Sequence, residues 1–270
     1  MRKIFAIENI KTYSSSTFRV MLTLHFLFYI LVVLSISRIE VSLGTFSVSR
    51  LYQFPYVWEF FSWVASWFNI LLGVIVIVLI SNEFRFYTFR QQIMNGLNEE
   101  HLLAGKIYMI FIIALYAFML VILSVLISGN VAGQEGFTFS QFSGAGIVWV
   151  YFLQTFAYMI LAMLFAVIFK NNGLAIVIFI LYLFPGEVIL RNLFFPSVQQ
   201  YFPAKLISGL TPLPTVFQDQ TASMKRMGLR LDGSMVADTT YNSAHEAGIA
   251  LAYIVVFLAI TYWLLKRKNY

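Results

Sequence analysis

The chain has no cysteine and only three histidines, His25, His101 and His245. Thiol nucleophiles, disulfides and thiolate metal sites are therefore excluded, and no HExxH or comparable spacing brings two histidines onto one helical face for a metal. His25 lies inside an apolar run, where it either hydrogen-bonds within a helix bundle or carries a proton; His245-Glu246 reads as a solvated pair. The phosphate-binding pattern GxxxxGK[ST] is missing, so ATP hydrolysis is not expected on this chain. Neither a Ser/His/Asp set nor a pair of carboxylates suited to acid–base work can be assembled, and no enzymatic activity is expected. The acidic residue placed inside a membrane boundary is Glu187. An ionisable group there is costly and by default points to function. Arg191 follows at i+4, where it can pair with it, and Pro185-Gly186 disturbs any helix at this point. The site is either a broken helix end with a local ion pair or a hinge. Asn69 and Gln154 fall in mid-run, with Ser62 and Ser66 on one helical face near Asn69. Such polar residues more often link helices than bind substrate.

The elements that must position these groups follow from composition. Apolar residues make up 60% of the chain and charged ones 11%. A soluble domain carries roughly 25% charged residues, and this chain lacks the polar surface to cover a soluble fold. Lipid removes the conflict by solvating the apolar side chains. The net charge of +6 does not point to nucleic acid, because the basic residues flank apolar runs instead of forming one patch.

A bilayer core is crossed by about 20 mostly apolar residues. Six runs qualify, at 18–37, 60–80, 107–128, 147–169, 173–190 and 248–265. The expectation is an all-α integral membrane protein of one domain, residues 1–270, with no internal repeat. A basic, polar stretch precedes the first run, and no small-residue cleavage site ends it, so a removable signal peptide is not expected. Cytoplasmic loops carry an excess of Lys and Arg. With both termini inside, Arg2, Lys3, Lys11, Arg19, Arg85, Arg90, Lys106, Lys170, Lys266, Arg267 and Lys268 are cytoplasmic, eleven of the 18 basic residues. Most of the others lie in the long stretch 191–230, and long loops translocate largely regardless of charge.

Three stretches outside the runs carry information. Residues 4–11 mix apolar and charged side chains at helical spacing, which suits an interfacial helix, either a surface anchor or a support for a cytoplasmic partner. Residues 81–106 are longer than a turn needs and too short for a domain. Glu83 to Met94 is expected as a helix across the membrane surface, ended by Asn95-Gly96, both of which tolerate left-handed backbone. Asn98 then caps a new helix with Glu99 and Glu100 in its first turn, favourable to the dipole. Residues 191–246 hold Pro196, Pro203, Pro212 and Pro214, and their first half is strongly apolar. Either short helices dip back into the outer leaflet or this stretch binds a partner; re-entrant backbone is tolerated only when buried in protein or lining a cavity. The polar stretch 218–243 reads as a surface excursion.

The pattern Glu83-x4-Thr88-x-Arg90, a turn, then Lys106 entering the third run resembles the permease subunits of ABC-2 type ATP-binding cassette transporters, as do Glu8-x-x-Lys11 before the first run and the six-run spacing of the whole chain. The resemblance implies a multi-pass subunit of a bacterial cytoplasmic (inner) membrane, both termini cytoplasmic, forming a substrate path with a second permease subunit. It implies that 83–94 is a coupling helix docking into a separate ATPase subunit, which binds ATP and Mg, through Glu83, Thr88, Arg90, Gln91 and Met94. It further implies re-entrant helices before the sixth span forming an outer gate, with Glu187, Arg191, Pro196, Pro203 and Pro212 as its residues. An ion- or proton-coupled carrier or channel, or a non-transporting membrane scaffold, are the alternatives; such carriers usually show several intramembrane charges and inverted repeats.

Overall fold

A computed structural model describes residues 2–37, 42–43, 46–47, 51–132, 142–217 and 243–267. The chain is helical apart from a two-residue antiparallel pairing of Ser42–Leu43 with Phe46–Ser47. Helix α1 (Arg2–Ser14) leads into α2 (Ser16–Ser37); α3 (Tyr56–Ser66) and α4 (Asn69–Arg85) follow, then the short α5 (Thr88–Met94), α6 (Glu99–Ala132) and α7 (Gly146–Phe169). Helix α8 (Asn172–Leu181) runs through an irregular turn, Tyr182–Gly186, into α9 (Glu187–Asn192); α10 (Pro196–Gln199), α11 (Pro203–Gly209) and α12 (Ser243–Arg267) complete the described chain.

Five helical segments among the described residues are long and apolar enough to cross a bilayer: Ser16–Ser35, Glu99–Gly129, Gly146–Phe169, Asn172–Asn192 and Ala244–Arg267. The expected continuous span at 60–80 is corrected. It is a bent pair, α3 and α4, meeting at 42°, and it brings the count to six if the pair crosses as one span. No proline or glycine marks the bend. Trp67 and Phe68 instead donate to carbonyls three residues back, and the Ser66 hydroxyl bonds the Trp63 carbonyl at 2.7 Å. Both tighten the last turn of α3 and tilt its axis.

Helix α7 is the axis of the bundle and packs on α3, α4, α6, α8 and α12. Two thirds of its apolar window is buried (67%), against 17% for α2. Small residues explain the closeness: Ala157, Ala162 and Ala166 are fully buried on α7. Opposite them on α4, a Cβ on Gly73 would stand 2.9 Å from the Phe179 ring and 3.3 Å from the Ala162 methyl. Small side chains at helix contacts let backbones approach, which replaces the hydrophobic drive that lipid removes. The outward faces of α2, α8 and α12 keep Leu27, Leu31, Val177 and Val255 exposed, as lipid contact requires.

Lys11, Lys106 and Lys170 share one end of the bundle, the first two against Glu83 and the third 5.1 Å from the Phe84 ring. There α1 packs on α6, the Asn172 amide at the start of α8 donates to Asn82 at the end of α4 (2.7 Å), and Tyr262 of α12 donates to Glu100 at the start of α6 (3.2 Å).

Candidate functional site

At that end, four charges gather inside the protein. Glu8 of α1, Glu83 of α4 and Lys106 of α6 are each at most 5% exposed. The Lys106 ammonium lies 2.6 Å from Glu8 Oε2 and also donates to Glu83 Oε1. Lys11 Nζ, less buried, comes to 2.8 Å from Glu83 Oε1 without hydrogen-bond alignment. These are the three ion pairs found among the described residues. Two carboxylates and two ammonium groups balance one another in charge, which offsets part of the burial cost; Glu83 Oε2 has no hydrogen-bond partner among the described residues.

Local sequence builds this cluster. Ile4, Glu8 and Thr12 recur at i, i+4 and i+8, so one face of α1 turns to α6, and all three are buried. Gly105 lets α1 come close: a Cβ there would sit 3.0 Å from Glu8 Cγ and 3.3 Å from Ile4 Cγ2. Phe5 stacks on Tyr108 at 4.4 Å, and the Asn9 amide donates to the Tyr108 hydroxyl at 3.0 Å.

Helix α5 is fixed onto the cluster by one side chain. Phe89, 1% exposed, holds its ring 5.6 Å from Lys106 Nζ and 4.6 Å from the Phe84 ring. The expected helix from Glu83 to Met94 is corrected here. Glu83 and Arg85 end α4, the chain reverses through Tyr87 in the left-handed region (φ 56°), and α5 starts at Thr88. The reversal lets Phe89 turn inward while α4 keeps Glu83 in the bundle. Thr88 bonds back to the Glu83 carbonyl at 3.3 Å. Gly96 (φ 86°) ends the segment, and Glu99 and Glu100 open α6, as the residues indicate.

The five residues expected to dock therefore separate. Arg90, Gln91 and Met94 are exposed on α5, beside the exposed rings of Phe86 and Tyr87, and Thr88 is half-buried. Glu83 is corrected: its buried carboxylate faces Lys106 and Lys11 and is not part of that surface.

A second cluster lies deeper and carries no formal charge. Gln154 on α7 makes four hydrogen bonds, the full capacity of its amide. Nε2 donates to the carbonyls of Ile207 (2.9 Å) and Ser208 (3.2 Å); Oε1 accepts from the Thr211 hydroxyl (2.9 Å) and the Asn69 amide (3.4 Å). The Thr155 hydroxyl is 2.9 Å from both Asn69 Oδ1 and the Tyr151 carbonyl. Thus α4, α7, α11 and Thr211 just beyond it meet at one amide.

Glu187, which opens α9, holds the start of α11, and its expected pairing with Arg191 is corrected. No ion pair joins the two among the described residues. The Glu187 carboxylate, 3% exposed, accepts from the backbone N–H groups of Ala204 (2.7 Å) and Lys205 (2.6 Å). Pro203 occupies the first position of α11 and Phe202 supplies no cap, so a carboxylate from α9 takes the place of a local one. Arg191 is half-buried at the end of α9, Pro196 opens α10, and Pro212 follows Thr211. The expected break at Pro185-Gly186 is present: Phe184 is extended (φ −140°, ψ 119°) inside the helical run. Further along, Glu59 of α3 accepts from both the N–H and the hydroxyl of Thr215 (2.9 Å each), and Tyr253 of α12 donates to the Tyr201 carbonyl at 2.6 Å. Of residues 218–243, expected as a surface excursion, all but Ser243, which opens α12, lie outside the described residues.

His25 is hydrogen-bonded within the bundle, its Nδ1 3.3 Å from the Tyr116 hydroxyl of α6. No group of three His, Asp or Glu that could hold a metal occurs among the described residues. Sequence reasoning alone did not assign Phe89 or the fourfold role of Gln154; an amide in mid-run was the signal for the second, and nothing distinguished Phe89 from its aromatic neighbours. No protein-family model matches the chain, and no curated protein matches it in sequence.

Proposed function

We propose that this chain is the membrane subunit of an ATP-driven exporter of the ABC-2 type, working as one of two permease subunits with a separate ATPase. The observation that carries the reading is α5. It is a short helix outside the spans, anchored inward by Phe89 on a buried charge cluster, and it presents Arg90, Gln91 and Met94 outward beside Phe86 and Tyr87 of the preceding turn. A connector with no partner has no need of a buried anchor or of an exposed aromatic and methionine surface. Helix α5 is then the coupling helix, the charged end faces the cytoplasm of a bacterium, and both termini lie there. The stretch 203–215, reaching alongside α7 to the level of Gln154, about 12 Å from the helix start at 1.5 Å per residue, supports a re-entrant outer gate. The apolar spans favour a hydrophobic or amphipathic cargo.

The test is co-purification in mild detergent with the ATPase subunit. A complex that hydrolyses ATP, and that is lost when Arg90 and Met94 are both replaced by Glu, is the expected result. Glu83 is not the residue to change, since its loss would disturb the fold itself. A folded chain that transports cargo with no ATPase present would overturn the reading.

A further inference from the structure

Helix α4 touches both clusters. Its last turns supply Glu83 to the charged one, and its first residue, Asn69, supplies an amide to the neutral one. The two residues sit on one unbroken helix, about 21 Å apart at 1.5 Å per residue. We propose that α4 is a strut and that Gln154 is the positioning residue through which it holds the 203–211 segment in place.

The bonding pattern supports this. Helix α11 has seven residues, too few to be stable alone. It is held at its start by Glu187 and near its end by Gln154, which reaches the Ser208 carbonyl and shares the Ile207 carbonyl with the Leu210 N–H (3.3 Å). The same Gln154 oxygen that accepts from Thr211 also accepts from Asn69. A shift of α4 along its axis moves Asn69, and the Gln154 amide cannot follow it without releasing a bond to 207–211. At its other end α4 is tied by a pair of lysines from α1 and α6. Displacement at the charged cluster is thus delivered to 203–211 with no flexible joint between. The strut does not depend on an ATPase; in the exporter reading it joins the docking face to the gate, and that use alone rests on that reading.

The absence of cysteine gives a clean test in the full chain reconstituted in nanodiscs. Lys205→Cys places an exposed thiol on α11, and its rate of reaction with an impermeant maleimide is measured. Gln154→Met, which keeps volume and removes all four bonds, should raise the rate by about tenfold, equivalent to roughly 1.4 kcal/mol. Asn69→Leu should raise it too, by about threefold. The two together should react no faster than Gln154→Met alone, because Asn69 acts through Gln154. A reference thiol at Met94→Cys, exposed on α5, should react at one rate in every variant if the fold is intact. Should Gln154→Met alter that reference, Thr211→Val removes a single bond and should still raise the rate of the α11 thiol by about twofold. The strut is overturned if Asn69→Leu leaves the rate unchanged, or if the two effects multiply in the double variant. It is equally overturned if neither Gln154→Met nor Thr211→Val has an effect. None of these readouts involves ATP, so they stand apart from the co-purification.

Discussion

The two polar clusters solve the same problem in different ways. Near the end of the bundle, Glu8, Lys11, Glu83 and Lys106 bury full charges in opposed pairs; beside α7, Gln154, Asn69, Thr155 and Thr211 use only amides and hydroxyls. Charge pairs attract strongly, but removing one member leaves the others unmatched in low dielectric, whereas a neutral amide leaves only an unmade hydrogen bond. The charged cluster is therefore a rigid joint, either whole or broken. The neutral cluster can lose one bond at a time. A fixed joint suits the anchoring of α5, and a releasable one suits a segment that moves.

The largest effect expected from breaking this contrast comes from Lys106→Met. It strands Glu8 and Glu83, each at most 5% exposed, facing one another with Lys11 as the remaining cation. Removing one partner of a buried pair costs about 3–5 kcal/mol, read as a large loss of thermal stability in detergent. Replacing Glu8 and Glu83 by Gln in the same chain should recover part of that loss, because no buried anion then remains. A cluster that tolerates Lys106→Met as easily as a surface change would remove the distinction between the two sites.

Next in size is Gly105→Val. Even a Cβ is crowded against Glu8 Cγ and Ile4 Cγ2, and Glu8 cannot swing away while its carboxylate is bound to Lys106. Overpacking of this kind costs about 1–3 kcal/mol. The expected outcome is α1 lifted from α6, seen as faster hydrogen exchange of residues 4–12 with the core of α7 unchanged. Gln154→Met should cost less in global stability, about 1–2 kcal/mol, and should loosen 203–211 before anything else. Equal exchange throughout the bundle would contradict a local, releasable cluster.

Much of the scaffold was legible in the residues. The apolar runs locate the spans because lipid leaves few alternatives to long apolar helices, and Asn95-Gly96 and Pro185-Gly186 mark breaks that the backbone requires. What could not be read is long-range pairing. Glu83 and Lys106 stand 23 residues apart and Glu8 and Lys106 stand 98 apart, and helical spacing says nothing of partners on other helices. Glu187 shows the cost: Arg191 at i+4 was the nearest cation, yet two backbone N–H groups 17 and 18 residues away satisfy the carboxylate more closely. The α3–α4 bend at Trp67–Phe68 and the left-handed Tyr87 were hidden for another reason. Neither uses the glycine or proline that normally announces such geometry, because tertiary contacts by Asn69 and Phe89 hold the chain in place.

The smallest effect separates the two clusters from an ordinary polar contact. Among the described residues, His25 of α2 is buried and makes one hydrogen bond, 3.3 Å from the Tyr116 hydroxyl, and its Nε2 has no partner there. Its ring packs edge-on against Phe68 at 5.9 Å between centroids. Phenylalanine fills nearly the same shape and removes a buried nitrogen that gains nothing from its surroundings. The lost bond and the relieved desolvation then roughly cancel, since an apolar replacement at a half-satisfied site can be nearly neutral. His25→Phe should shift stability by no more than about 0.5 kcal/mol, measured by thermal unfolding beside Lys106→Met. In the proposed exporter it should also leave transport in place. A loss of transport with stability kept would mean that the imidazole carries a proton, and the ion-coupled class would then displace the exporter.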